Sequence, residues 1–141
     1  MKGYLVDTNV PSELTRETPD ARVLRFLRNA DRDSMFLSVM TIGEICKGIA
    51  TMPVGSRRVS LQHWLDVDVR SWFAGRILPV SEAIAEGWGQ MAAICKQQGR
   101  PLAVVDGLIA ATALHYDLTL VTRNVKDFAT LAVEILDPWE T

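Results

Sequence analysis

Short β-like runs alternating with longer helical stretches constrain this chain more than any other feature. Aliphatic, β-branched and aromatic residues cluster at Tyr4–Val6, Met35–Val39, Arg76–Val80, Leu118–Thr122 and Val133–Leu136. Between most of them, apolar residues recur at helical spacing. Pro19-Asp20 opens one helix, with Val23, Phe26 and Leu27 on one face. Further helices are expected over Thr41–Met52, Ser60–Phe73, Ser81–Gln98 and Val105–Tyr116. Strands that alternate with helices pair in parallel through right-handed crossovers. The expectation is a three-layer α/β/α domain around a mainly parallel sheet of about five strands.

With 141 residues, 48% hydrophobic and 23% charged, the chain suits one globular domain spanning 1–141. No apolar run is long enough to span a bilayer, and the start MKGYLVDTNV does not read as a signal peptide. A cytoplasmic protein is expected. Cys46 and Cys95 fit no metal spacing, and both are expected to be reduced and buried. His63 and His115 are equally isolated, and His115 suits a helix C-terminus. The formal charge of −2 does not mark a nucleic-acid binder. The cations are nevertheless mostly Arg, which pairs with phosphate in a planar fork. Local basic pairs stand at Arg57-Arg58, Lys96 with Arg100, and Arg123 with Lys126, where solvated turns and helix ends are the simpler reading.

Chemistry enters through four acids. Asp106 is the only charge in Pro101–Leu114, PLAVVDGLIAATAL. A lone charge in apolar surroundings is costly unless a partner or a metal compensates it. Asp7 follows Tyr4-Leu5-Val6, Glu44 lies six residues past Ser38, and Asp127 lies six past Val121. Each acid stands near a strand exit or a helix entry, and ligands collect outside the carboxyl ends of strands in such sheets. If the four meet, each pair repels by about 3 kcal/mol at about 6 Å and an effective dielectric near 20. Six pairs would rival the whole stability of a domain, about 5–15 kcal/mol. Protons or divalent cations must absorb that charge, and an all-oxygen ligand set favours Mg²⁺ or Mn²⁺. Hydrolysis of a phosphodiester would follow.

Each acid also has a plainer reading. Asp106 suits a helix N-cap, Asp7 a turn, and Asp127 a cap on Phe128–Leu131. Thr41 to Glu44 reads as a capping box. Thr8, Ser38 and Thr122 carry hydroxyls that either orient the acids or make ordinary turn hydrogen bonds. Asn124 is either an oxygen donor or a loop residue. Spacing alone leaves these alternatives open.

At these residues the chain resembles PIN-domain ribonucleases, the toxin half of bacterial VapBC-type pairs. The matching elements are Leu5-Val6-Asp7-Thr8-Asn9, Ser38 with Thr41-Ile42-Gly43-Glu44, Asp106 with Ile109–Ala113, and Leu120–Asn124 with Asp127-Phe128. Phe73–Pro79 and Asp137-Pro138-Trp139 are similar to the FitB branch in particular. The resemblance implies Mg²⁺- or Mn²⁺-dependent RNA cleavage with Asp7, Glu44 and Asp106 as core acids. Asn124 stands where branch members can have Asp, so the fourth acidic role passes to Asp127. Thr8, Asn9, Ser38, Thr122 and Asn124 would be auxiliary. A homodimer is implied, silenced by a small DNA-binding antitoxin, with Leu61, Trp64 and Trp72 as candidate contacts or as core.

Rival classes fit less well. An aspartyl-phosphate phosphatase needs a second acid two residues after the first, where Asn9 stands. A phosphoacceptor receiver needs a Lys after a late strand, where Arg123 stands. No Gly-rich phosphate loop follows the first strand. The remaining alternative is a catalytically weak PIN-like module acting on DNA through its antitoxin.

Overall fold

The computed structural model describes residues 2–141. In chain order, strand β1 is Tyr4–Val6, helix α1 Asn9–Glu13 and α2 Ala21–Asn29. Strand β2, Met35–Ser38, runs straight into α3, Val39–Ala50. Helix α4, Ser56–His63, continues through a π-helical stretch, Trp64–Val69, into α5, Arg70–Trp72. Strand β3 is Ile77–Leu78, followed by α6, Glu82–Gln97, and α7, Val104–His115. Strand β4, Thr119–Val121, leads to α8, Val125–Phe128, then β5, Ile135–Leu136, and a 3-10 turn over Pro138–Glu140.

The five strands form one sheet in the order β3-β2-β1-β4-β5, and every pairing is parallel. Adjacent residues of the central strands face opposite ways, as the twofold side-chain alternation requires. Leu5 and Leu120 pack with Ile109, Ala110, Ala113 and Phe128 on one face. Val6, Leu37 and Val121 pack with Val10, Val23, Ile45, Leu65, Val69, Phe73 and Trp139 on the other. Two apolar clusters on opposite faces of one sheet make the expected three layers.

All five strand runs appear, trimmed at their ends. Asp20 caps α2 and Ser81 caps α6, accepting from the Arg22 and Ile84 amides. Gly99, at φ 71°, closes α6 where the stop was expected, with the Arg100 amide donating to the Cys95 carbonyl at 2.8 Å. Three local expectations are corrected. Ser38, not Thr41, caps α3: its hydroxyl accepts from the Met40 amide at 3.0 Å. The helix therefore starts two residues early, and Glu44 lies beyond the capping-box position. Ala103 stands at the cap of α7, leaving Asp106 in the first turn, where a carboxylate still suits the helix dipole. Asp127 lies inside α8 and does not cap a segment after it. Helix α4 begins four residues before Ser60, and Cys46 is exposed while Cys95 is buried.

The edge of the sheet at β3 is held by one guanidinium. Arg76 donates to the carbonyls of Arg32, Met35 and Trp72 and lies over the rings of Trp72 and Phe73. Among the described residues, no helix is long and apolar enough to cross a membrane.

Candidate active site

The order β3-β2-β1-β4-β5 means that the chain leaves β1 toward one side and later returns to its other side. The crevice beyond the carboxyl ends of β1 and β4 is therefore the switch point of the sheet. Asp7 and Thr122 are the first residues past those two ends, and both are buried. The Asp7 amide donates to the Val121 carbonyl at 2.9 Å, which extends the ladder one residue and anchors the carboxylate.

A set of hydroxyls and amides orients this carboxylate. Asp7 Oδ2 accepts from the Thr122 hydroxyl at 2.8 Å, and Oδ1 from the Thr8 amide at 2.8 Å. Thr122 Oγ1 in turn accepts from the Asn9 side-chain amide at 3.2 Å and the Asn124 backbone amide at 3.0 Å. The Asn9 carbonyl oxygen receives the Arg123 amide at 3.3 Å. Thr8 faces the other way and donates its hydroxyl to Glu44 Oε1 at 2.5 Å. Thr8 thus joins Asp7 on the β1 exit, through its amide, to Glu44 on α3, through a hydroxyl bond that spans 36 positions of sequence.

Asp106 comes from α7 and Asp127 from α8. Burial pushes the Asp106 carboxyl up to about 6, and the negative charges of Asp7, Asp127 and Glu44 push in the same direction. Asp7 is also raised, chiefly by burial; the Thr122 and Thr8 hydrogen bonds oppose the rise, and Glu44 and Asp127 add to it. The four acids therefore share one electrostatic environment although four separate elements supply them. None of the four is ion-paired among the described residues. They are neighbours through charge more than through contact, since no three His, Cys, Asp or Glu side chains among the described residues stand ready to enclose an ion. The donor set is all oxygen, which fits a hard divalent cation such as Mg²⁺ or Mn²⁺.

Of the auxiliary residues, Thr8, Asn9 and Thr122 join the network through their side chains. Asn124 joins through its backbone amide, its side chain making no cap to α8. Ser38 accepts the Met40 amide as the cap of α3, and its hydroxyl makes no hydrogen bond to the four acids among the described residues. Thr41 is fully buried with its hydroxyl unpartnered among the described residues.

Sequence reasoning missed two supports. Gly107, beside Asp106, lies flat against Trp88 of α6: a methyl there would sit 2.6 Å from the indole Cδ1. A glycine directly after the one charge of an apolar helix was the available signal. Arg123 lies over the ring of buried Trp139, 5.3 Å from its centroid, tying the chain end to the β4 exit.

On the opposite face of the sheet, Val10, Leu24, Leu27, Trp64, Val69 and Trp72 line an apolar cavity of about 300 Å³. Trp64 and Trp72 are half-buried there, and Leu61 packs against the same core.

Comparison with known proteins bears on the fold and the family. The PIN domain family profile matches residues 4–134. The chain is 36% identical to toxin FitB of Neisseria gonorrhoeae over 135 residues, covering 96% of this chain and 97% of that protein. It is 35% identical to VapC ribonuclease Y4jK of Sinorhizobium fredii, covering 96% and 97%. The crystal structure of FitAcB from Neisseria gonorrhoeae superposes with a TM-score of 0.91 at 36% identity, covering 98% of this chain and 99% of that one. A structure of FitAB bound to a DNA fragment gives 0.89 at 34% identity, covering 96% and 95%. With a PIN profile across nearly its whole length and relatives this similar, the chain belongs to the PIN-domain family of VapC-type toxins, alongside FitB.

Proposed function

We propose that this protein is the toxin of a type II toxin–antitoxin pair and a Mg²⁺- or Mn²⁺-dependent endoribonuclease that hydrolyses RNA phosphodiester bonds. The observation that carries the reading is the linkage of Asp7 and Glu44 through Thr8, beside a cleft that holds Asp106 and Asp127, all four without ion pairs among the described residues. These four carboxylates are the metal ligands in this reading. A bound divalent cation supplies a water of lowered pKa and stabilises charge on the phosphoryl group.

The chain's own residues prepare that chemistry. The Thr122 hydroxyl and Thr8 amide each occupy one lone pair of Asp7 and leave others free. The Thr8 hydroxyl fixes Glu44 by one oxygen. Asp106 stands on α7, whose buried Ile109, Ala110 and Ala113 make a rigid mount. Asp127 is exposed and is the ligand most able to move with substrate. The carboxyl of Asp106 must give up its proton before it can bind a cation, so affinity should rise as pH climbs through about 6.

The whole chain, 1–141, acts as one domain in this reading, as a cytoplasmic homodimer held inactive by a small DNA-binding antitoxin. The FitAB complex bound to DNA supports the class of partner. The apolar cavity at Trp64 and Trp72 offers such a partner a hydrophobic contact. The test is cleavage of RNA by purified protein with Mg²⁺ or Mn²⁺, beside Asp7→Asn and Asp106→Asn. Wild type should cut, arrest growth on induction, and melt at higher temperature with Mn²⁺. If both variants are as active and as toxic as wild type, the site is wrong. A wild type that binds antitoxin and operator DNA without cutting RNA would favour the non-catalytic module.

A further inference from the structure

We propose that the cleft beside Asp106 and Asp127 is a backbone-binding subsite for single-stranded RNA, in which Arg100 and Lys126 hold the phosphate next to the one that is cut. This rests on the ribonuclease reading above and extends its site. The cleft has a volume of about 300 Å³ and is walled by Arg100, Leu102, Asp106, Lys126, Asp127 and Thr130. That is the lower end of the range for sites that accept a small ligand, about 300–1,000 Å³. It lies between the α6–α7 connection and α8, so two of the four acids form part of its wall.

The charges of this cleft are arranged for an anion. Neither Arg100 nor Lys126 is ion-paired among the described residues, although each lines a cavity with two carboxylates. Cations meant to neutralise those acids would be bonded to them. Arg100 also has a firm base, since its amide closes the turn at Gly99 by donating to the Cys95 carbonyl at 2.8 Å. The sequence pairs Arg100 with Lys96 and Lys126 with Arg123, whereas the fold sets Arg100 and Lys126 around one space.

RNA needs such a place. A chain of net charge −2 that gathers four acids repels a polyanion until local cations receive it. The cleft has no aromatic wall on which a base would stack. It therefore reads phosphate and sugar, not base identity.

The test compares wild type with Arg100→Ala, Lys126→Ala, the double variant and Arg100→Lys. Cleavage of short single-stranded RNAs of several sequences is measured in Mn²⁺ from low to high salt. Binding of the same RNAs to metal-free protein is followed by fluorescence anisotropy. The double variant should raise KM at least fivefold, with kcat within about twofold and the melting temperature unchanged. Because the two cations neutralise a single phosphate, the double variant should make the salt dependence shallower by about 0.7. The loss should be equal across sequences, and Arg100→Lys should retain most of the affinity.

Unchanged KM and salt slope in the double variant overturn the subsite while leaving the nuclease intact. Absence of metal-dependent cleavage by wild type overturns the nuclease reading instead, and the binding slopes then stand alone. If the double variant weakens the antitoxin complex and leaves RNA untouched, the cleft belongs to the protein partner and the proposal fails.

Discussion

Replacing Gly107 with alanine should destabilise this protein, although the same change in most exposed helices is stabilising. Gly107 lies in the first half of α7, one residue past Asp106. Alanine in a helix interior normally gains about 1 kcal/mol over glycine. Here the added methyl would sit 2.6 Å from Trp88 Cδ1, 2.8 Å from Trp88 Nε1 and 2.9 Å from Leu102 Cδ2. Carbon atoms in good contact are about 3.5–4.0 Å apart, so an indole edge or the helix must move by about 1 Å. Overpacking of this kind costs about 1–3 kcal/mol. Set against the propensity gain, the net loss should be up to about 2 kcal/mol, which lowers the melting temperature of a domain this size by up to roughly 8 °C. Urea unfolding of Gly107→Ala, with Gly87→Ala and Gly89→Ala as controls, measures it. Both controls have open space around the new methyl and should gain stability. Because α7 carries Asp106, Gly107→Ala should also lower kcat. A double-mutant cycle with Trp88→Leu should show coupling of about 1 kcal/mol or more. If Gly107→Ala gains stability like its controls, the close packing of α6 on α7 is not what sets Asp106.

Three further outcomes follow from the site and its frame. In EDTA, stability should rise as pH falls from 7 toward 4: the folded carboxyl of Asp106 sits at about 6 against 3.8 unfolded, so the native state holds the extra proton below about 6. Asp7 is raised and acts in the same direction, while Asp20, lowered to about 2, opposes it only at more acidic pH. Asp106→Asn should flatten that slope and raise the melting temperature at pH 7; a metal-free protein that gains stability from pH 4 to 7 would contradict the shared charge. Thr122→Val should cost about 1–3 kcal/mol by stranding the buried Asp7 oxygen and should lower activity about 10–100-fold, with Thr122→Ser restoring most of both. Arg76→Lys should lose about 2 kcal/mol in urea unfolding, because an ammonium cannot fork to the carbonyls of Arg32, Met35 and Trp72.

Much of the site was legible because its residues stand at local boundaries. Asp7 follows three strand residues and Asp106 enters a helix, and both features are written in adjacent sequence. The misassigned residues were those where two neighbours compete for one role. Ser38 and Thr41 both suit the cap of α3, and Ser38 takes it because β2 delivers the chain into the helix without a loop. Thr41 is left inside the core with an idle hydroxyl. The hydroxyls of Thr8 and Thr122 looked alike from spacing, yet one holds Glu44 and the other Asp7.

By itself the sequence determined the elements and the candidates: alternating strands and helices, a parallel sheet, four acids near strand exits and helix starts. Those follow from side-chain period and from start and stop residues, which act over a few positions. Only the tertiary structure decided that Thr8 joins Asp7 to Glu44, that Arg100 and Lys126 line one cleft with Asp106 and Asp127, and that Gly107 bears on Trp88. Such meetings depend on crossovers that set β4 beside β1 and on the depth to which α6 and α7 pack, and both are long-range properties. Burial chiefly raises Asp106, and the charges of Asp7, Asp127 and Glu44 add to the rise only because β1, α3 and α8 come near α7.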